Sequence, residues 1–257
     1  MTANRVEELT EVLRRLTGGE DPEQVKKEAE GIVREITPQE LSLAEQQLIQ
    51  EGVDPQELRH LCEVHLRVLS EEVHRFRASL PKGHPVNTLM AEHEVILETL
   101  AQLEEVNQAV QQTEQLTAEQ VEQLEQIATH LVEAESHHQR EEEALFPRVE
   151  ERGVTGPPRI MRLEHDELRQ RKHALLELAR SATRMPLSDF RARLNELAPY
   201  LVLHLRDHIF KEDNILYPTA VEVVTEPAVW EEIKARCDEI GYCCFTPAEP
   251  SATSSTS

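Results

Sequence analysis

Residues Ser136–Pro147 read SHHQREEEALFP, and the pattern returns at Asp207–Pro218 as DHIFKEDNILYP. Aligned, His137 falls on His208, Arg140 on Lys211, Glu141 on Glu212 and Phe146-Pro147 on Tyr217-Pro218, an offset of 71 residues. A shorter pair lies upstream: Glu92-His93-Glu94 against Glu164-His165-Asp166, 72 residues apart. The span from about 85 to 218 therefore reads as two copies of one helix pair, each carrying a His and then an H-x-x-x-E.

Around this repeat the composition is that of a helical protein. Aromatic residues make up 4% of the 257, and there are only 8 glycines. Glu, Gln, Leu, Ala and Arg dominate, all good helix formers. The formal net charge of −22 argues against nucleic acid, whose phosphates need a basic surface, and against an anionic membrane face. No apolar run approaches ~18 residues, and MTANRVEELTEVL opens as an ordinary helix rather than a signal peptide. Four cysteines without framework spacing suit a reducing cytosol, so a cytoplasmic protein is expected.

Three helix starts of one design precede the repeat. Asp21-Pro22-Glu23-Gln24, Thr37-Pro38-Gln39-Glu40 and Asp54-Pro55-Gln56-Glu57 each place a capping residue before a Pro at the first helical position. Helices are predicted over about 4–17, 22–35, 38–51 and 55–79, forming a small helical domain over 1–80. Pro81-Lys82-Gly83-His84-Pro85 breaks the pattern. Four long helices follow over 81–222: one to about Gln112, one opened by Thr117-x-x-Gln120 and closed near Phe146-Pro147, one over about 158–183, and one from near Pro186–Ser188 to about 222. Pro199 should kink or interrupt the last. The fold class is thus all-α, an up-down four-helix bundle with a small N-terminal helical domain. The remainder, 223–257, holds a helix with Trp230, a cysteine segment and a tail without packing residues.

Residues at i and i+4 share a helix face about 5–6 Å apart, so each H-x-x-x-E presents an imidazole beside a carboxylate. His93 precedes His137 by 44 residues, and His165 precedes His208 by 43. In an antiparallel bundle these near-equal separations bring all four histidines to a similar depth. The inward set is His93, His137, Glu141, His165, His208 and Glu212. Imidazoles with carboxylates able to bridge, and no thiolates, suit a pair of iron or manganese ions. His138 and Glu142 form an equally spaced pair one residue along, and alignment with the last helix favours His137 and Glu141.

These elements, Glu92-His93, HxxRExxxLFP, Glu164-His165 and HxFKExxxLYP, resemble the hemerythrin-like, HHE-type cation-binding domain over about 85–220. That resemblance implies a non-haem di-iron centre, with each matched His a terminal ligand and Glu141 and Glu212 bridging. The N-terminal helices and the IGYC segment resemble a helical domain of unknown function that often accompanies such bundles in bacterial proteins. Oxygen-carrying hemerythrins have a further His on the third bundle helix, where this chain has Arg169. At least one iron is therefore expected to have a free position or a substitute ligand, and His204, one turn before His208, or Glu133, one turn before His137, could fill it. His84 reads as a helix-start residue, and His130 and His173 as solvated or second to the ligands. Cys62-x-x-His65 with Cys237, Cys243 and Cys244 is open to a second metal site or a redox-sensitive pair, although cysteines are also commonly plain buried apolar residues.

The function expected on this basis is binding or sensing of a small diatomic ligand, oxygen or nitric oxide, at two iron ions, with a redox or signalling partner that the sequence does not identify. Peroxide or nitric oxide reduction and iron donation for iron–sulfur cluster repair are alternatives with the same ligand set. A metal-free helical interaction scaffold, its histidines turned to solvent, is the remaining alternative.

Overall fold

A computed structural model describes residues 73–243, together with 8, 10–12, 14–15 and 20. The helices predicted between 21 and 72, Cys62, His65, Cys244 and the tail lie outside the described residues. The chain divides into two compact units, 1–79 and 80–257. In the first, residues 8, 10–12, 14–15 and 73–79 are helical. Among the described residues there is no strand.

In the second unit Pro85–Gln112 forms α1. Its start follows the sequence closely: His84 caps it, accepting from the Val86 N–H at 3.3 Å, and Pro85 takes the first turn, where its missing N–H costs nothing. Helix α2 is built from Ala118–Glu133, Glu135–Arg140, a wide π-helical turn at Glu141–Leu145, and Phe146–Glu150. Thr117 opens it with a reciprocal capping box to Gln120, both contacts at 3.1 Å. Helix α3 spans Gly156–Ser181. Helix α4 runs from Leu187 to Lys211, through a second π-helical turn at Glu212–Leu216, and on over Tyr217–Val223. It is helical across Pro199 without a break. Helix α5 is Pro227–Ile240.

Each helix of the bundle packs on the next in sequence, and α4 closes on α1. This is the arrangement that short connections impose on up-down helices. Leu100, Leu103 and Val110 from α1 meet Leu124 and Leu131 from α2, Leu175 from α3, and Phe190, Leu194 and Leu201 from α4 in one buried core. Residues of this core, Ile96, Leu168, Leu205 and Ile209, also flank the histidines along their helices. Helix α5, which the sequence set apart with the tail, packs on α1 and on the 135–145 part of α2. There Ile233 and Cys237 are buried, and the Trp230 ring packs at a tilt on His84, 4.2 Å between centroids.

The sequence places the end of α2 at Phe146-Pro147, but the helix passes through to Glu150. In an α-helix a proline loses one backbone hydrogen bond and its ring presses on the carbonyl four residues back. Here the turn before each proline is widened: Phe146 N–H donates to Glu141 O and Tyr217 N–H to Glu212 O, five residues back. The prolines are thus accommodated, and both aromatic residues before them are buried, Phe146 beside the His165 ring at 5.9 Å and Tyr217 with its hydroxyl on Glu141.

Thr117 is remote from the histidines, so its cap reports on the fold alone. Thr117→Ala should cost about 1 kcal/mol, read as a lower urea midpoint with an unchanged slope.

Candidate metal centre

The two repeated motifs meet in the bundle interior. His93 on α1, His137 and Glu141 on α2, His165 on α3 and His208 and Glu212 on α4 are each at most 1% exposed. Three groupings of their donor atoms are compact enough to hold a metal ion: His93, His137 and Glu212; Glu141, His165, His208 and Glu212; and His138, His165 and His208. Glu212 links two halves, with Oε2 3.1 Å from His93 Nε2 and Oε1 2.7 Å from His208 Nε2. Glu141 Oε2 lies between them, 3.7 Å from His137 Nε2 and 3.5 Å from His165 Nε2.

Each of these histidines is held by its outer nitrogen. Nδ1 of His93 meets Asp213 at 2.8 Å, His137 meets Glu92 at 2.8 Å, His165 meets Glu142 at 2.7 Å and His208 meets Glu164 at 2.8 Å. An ionised carboxylate can only accept, so Nδ1 carries a hydrogen, and in the neutral imidazole Nε2 then turns a lone pair inward. A carboxylate behind the imidazole in this way is the usual support of a metal-bound histidine.

The pattern obeys the internal repeat. The Glu before the first His of each copy, Glu92 or Glu164, orients the His of the following helix. The acid after each H-x-x-x-E, Glu142 or Asp213, orients the His of the opposite copy. Arg140 and Lys211, aligned in the sequence, hold Glu92 and Glu164 at 2.6 Å each. Burial alone would raise the Glu92 carboxyl, but the His137 hydrogen bond and the Arg140 guanidinium bring it down to about 2, so it is ionised.

The inward atoms are left wanting a cation. Glu141 Oε2, His165 Nε2, His208 Nε2 and both Glu212 oxygens are buried without a hydrogen-bond partner. His208 Nε2 and Glu212 Oε1, though 2.7 Å apart, do not have hydrogen-bond geometry. Unsatisfied buried acceptors are rare because each costs about 1–3 kcal/mol. His93 Nε2 and His137 Nε2 stand 3.1 Å apart, and their facing lone pairs require a proton or a metal ion between them. Burial and the neighbouring Glu212 hold the Glu141 carboxyl well above its usual range. Glu212 is pulled well below, against its burial, by His208 together with His165 and His93. The donor set is nitrogen and oxygen without sulfur, which fits iron or manganese.

Six of the seven expected ligands are thus brought together, and the seventh is not. His204 is exposed and packs on Tyr200 at 4.0 Å. The buried stripe of α4 is Leu201, Val202, Leu205, His208 and Ile209, and position 204 falls off its edge. Glu133 is also exposed. His138 and Glu142 do not displace His137 and Glu141. Instead His138 is itself buried and stacks on His165 at 3.9 Å, while Glu142 orients His165 from outside. Arg169 pairs with Glu135 and Asp166 and approaches Glu142 at 3.5 Å. His130 and His173 are exposed. Among the described residues no potential ligand cluster includes a cysteine, and burial pushes the Cys237 thiol up to about 11.

Sequence reasoning missed Tyr217 as a polar group of the site. Its hydroxyl donates to Glu141 Oε1 at 2.8 Å and stands 3.3 Å from His137 Nε2. The available signal was the break in the aligned pair, Phe146 against Tyr217. Tyr217→Phe should leave the fold intact and free Glu141 Oε1, shifting the visible spectrum of iron-loaded protein without lowering its metal content.

A bundle with buried imidazoles on four helices, two shared carboxylates and an outer ring of orienting acids defines a cation-binding four-helix protein. The chain belongs to the hemerythrin family: residues 84–220 match the hemerythrin HHE cation binding domain. Residues 9–75 match a family of unknown function, DUF438. The chain is similar to the iron-sulfur cluster repair protein YtfE of Salmonella schwarzengrund and of Salmonella typhimurium, 31% identical in each case over 94 residues. That match takes in 35% of this chain and 42% of each relative, so it spans less than half of the relatives' length.

Proposed function

We propose that His93, His137, Glu141, His165, His208 and Glu212 hold two iron ions that bind a small diatomic ligand, oxygen or nitric oxide. The observation that carries this reading is the set of buried, unpartnered inward atoms, each imidazole among them fixed from behind by a carboxylate. When bound, a ferrous pair supplies electron-rich metal able to take such a ligand. Near-complete burial of the cluster supports a ligand of only a few atoms. Two surface hollows, lined by Glu177, Leu178 and Arg193 and by Glu122, Gln126 and His130, include none of the cluster residues. Leu145 and Phe146 on α2 and Leu216 and Tyr217 on α4, all buried, exclude bulk water.

The test is titration of anaerobic, ferrous-loaded protein with nitric oxide and, separately, with oxygen, followed in the visible and near ultraviolet. A saturable spectral change is expected with one or both. A spectrum unmoved by either gas would overturn the ligand assignment. A second reading, iron donation for iron–sulfur cluster repair, is favoured by the similarity to YtfE. It requires that iron pass from the loaded protein to an apo-cluster acceptor.

A further inference from the structure

Where the first copy of the repeat has apolar residues, the second has cations. The offset of 72 residues that sets His93 on His165 also sets Leu97 on Arg169 and Leu100 on Lys172. Leu100 on α1 is ordinary buried core. Lys172 on α3 is enclosed almost as fully, its side chain 2% exposed, so packing does not demand a charge at this place. It lies two helical turns from His165 on the same helix face, about 10 Å along α3. Its Nζ donates to Glu135 Oε2 at 3.0 Å, and that oxygen stands 3.5 Å from Nδ1 of His138, whose ring stacks on His165. Glu135 does not cancel the charge. Arg169 draws on its other oxygen at 2.7 Å, and Glu135 is 28% exposed, so water screens the anion but not the ammonium. Burial pulls the ammonium below the ordinary lysine range, and Glu135 and, more weakly, Glu212 act against that fall. The carboxylate shared between the halves of the site therefore lies within the field of Lys172.

We infer that Lys172 is a fixed buried cation that biases the iron pair toward its ferrous state. This inference rests on the proposed iron pair. Each electron passed from the site to an oxidant, whether oxygen or an electrode mediator, leaves one more positive charge in the bundle. A cation held in a shielded interior opposes that gain. Arg140 and Lys211 are already matched to acids that orient histidines, Glu92 and Glu164. Lys172 holds none of the four orienting acids, so its charge stands over and above theirs. At about 10 Å and an effective dielectric constant of about 20, a unit charge shifts a one-electron equilibrium by on the order of tenfold.

The experiment uses the full chain loaded anaerobically with ferrous iron, as wild type, Lys172→Met and Lys172→Leu. Met keeps the length of the side chain, and Leu is the residue the other copy carries. Both remove the charge and leave Arg169 on Glu135. Iron is counted per chain, and the midpoint potential is read by spectroelectrochemical titration with mediators. Both variants should keep the iron content of wild type. Both should shift the ferrous–ferric equilibrium toward ferric by about tenfold, a potential lower by about 59 mV for one electron. Agreement between two side chains of different shape identifies the effect as one of charge. If either variant fails to fold by circular dichroism, Lys172→Gln takes its place. A potential unchanged or raised in folded, fully loaded variants, or lowered in only one of them, would overturn the inference while leaving the iron pair standing. Iron lost from both variants would make Lys172 a support of the site and overturn it as well. No iron uptake by wild type would overturn the inference and the iron pair together.

Discussion

Glu212→Gln should reduce the iron content of the protein from about two ions per chain to about one or fewer. Glutamine keeps the shape and burial of the residue but removes its charge and one of its two oxygen donors. Those oxygens are divided between the halves of the site, one facing His93 and the other His208. Neither is committed to a hydrogen bond. Glu212 also approaches the inward nitrogens of three histidines, at 3.1 Å, 3.6 Å and 2.7 Å for His93, His165 and His208. Iron analysis on protein loaded and desalted under nitrogen reads the effect. Retention of a full pair would show that Glu212 is not shared between ions. Because metal bound to the folded state adds its binding free energy to stability, the loaded variant should also unfold at lower temperature than loaded wild type.

The second large effect concerns what stands behind the ligands. Arg140→Met should destabilise the protein by about 3–5 kcal/mol, the usual result of removing one partner of a buried ion pair. Glu92 is 0% exposed and keeps its charge through Arg140 and His137. Without the guanidinium that buried carboxylate loses its ion-pair partner. Arg140 also donates to the Ser136 carbonyl and lies under the Tyr242 ring, so it is tied into α2 and the segment that follows α5. The repeat supplies an internal control. Lys211 makes the equivalent contact with Glu164, but both side chains are 29% exposed. Water screens that pair, and Lys211→Met should cost about 1 kcal/mol or less. Urea unfolding of the two variants side by side measures the contrast. Equal losses would mean that burial is not what distinguishes the two positions.

Much of this organisation is legible in the sequence. The repeat between Ser136–Pro147 and Asp207–Pro218, with the upstream pair Glu92-His93 and Glu164-His165, implies four helices, their antiparallel order and six of the inward residues, four of them because i, i+4 spacing on a helix determines a shared face. Capping by Thr117 and the helix start at Pro85 follow from local chemistry. What escapes are features that depend on geometry between helices or on departures from the ideal α-helix. His204 has the spacing of a ligand, yet sits off the buried stripe of α4. The π-helical turns change how residues after Glu141 and Glu212 face, so Phe146-Pro147 reads as a helix end where the helix in fact continues. His138 reads as a rival to His137, since one narrow α-helical face admits only one of two neighbours. In the structure both are buried, each in a different half. The pairing of Arg140 with Lys211 is visible as an alignment but not as a function, since their partners lie 48 and 47 residues away.

Iron bound by the anaerobically loaded chain, counted per protein and examined by Mössbauer spectroscopy before and after oxidation, tests the central claim most directly. The expected result is about two irons per chain that become magnetically coupled when oxidised, and that are lost together with the coupling when both His137 and His208 are replaced by alanine. A chain that takes up no iron or manganese, or one whose metal content survives both replacements, would contradict the account.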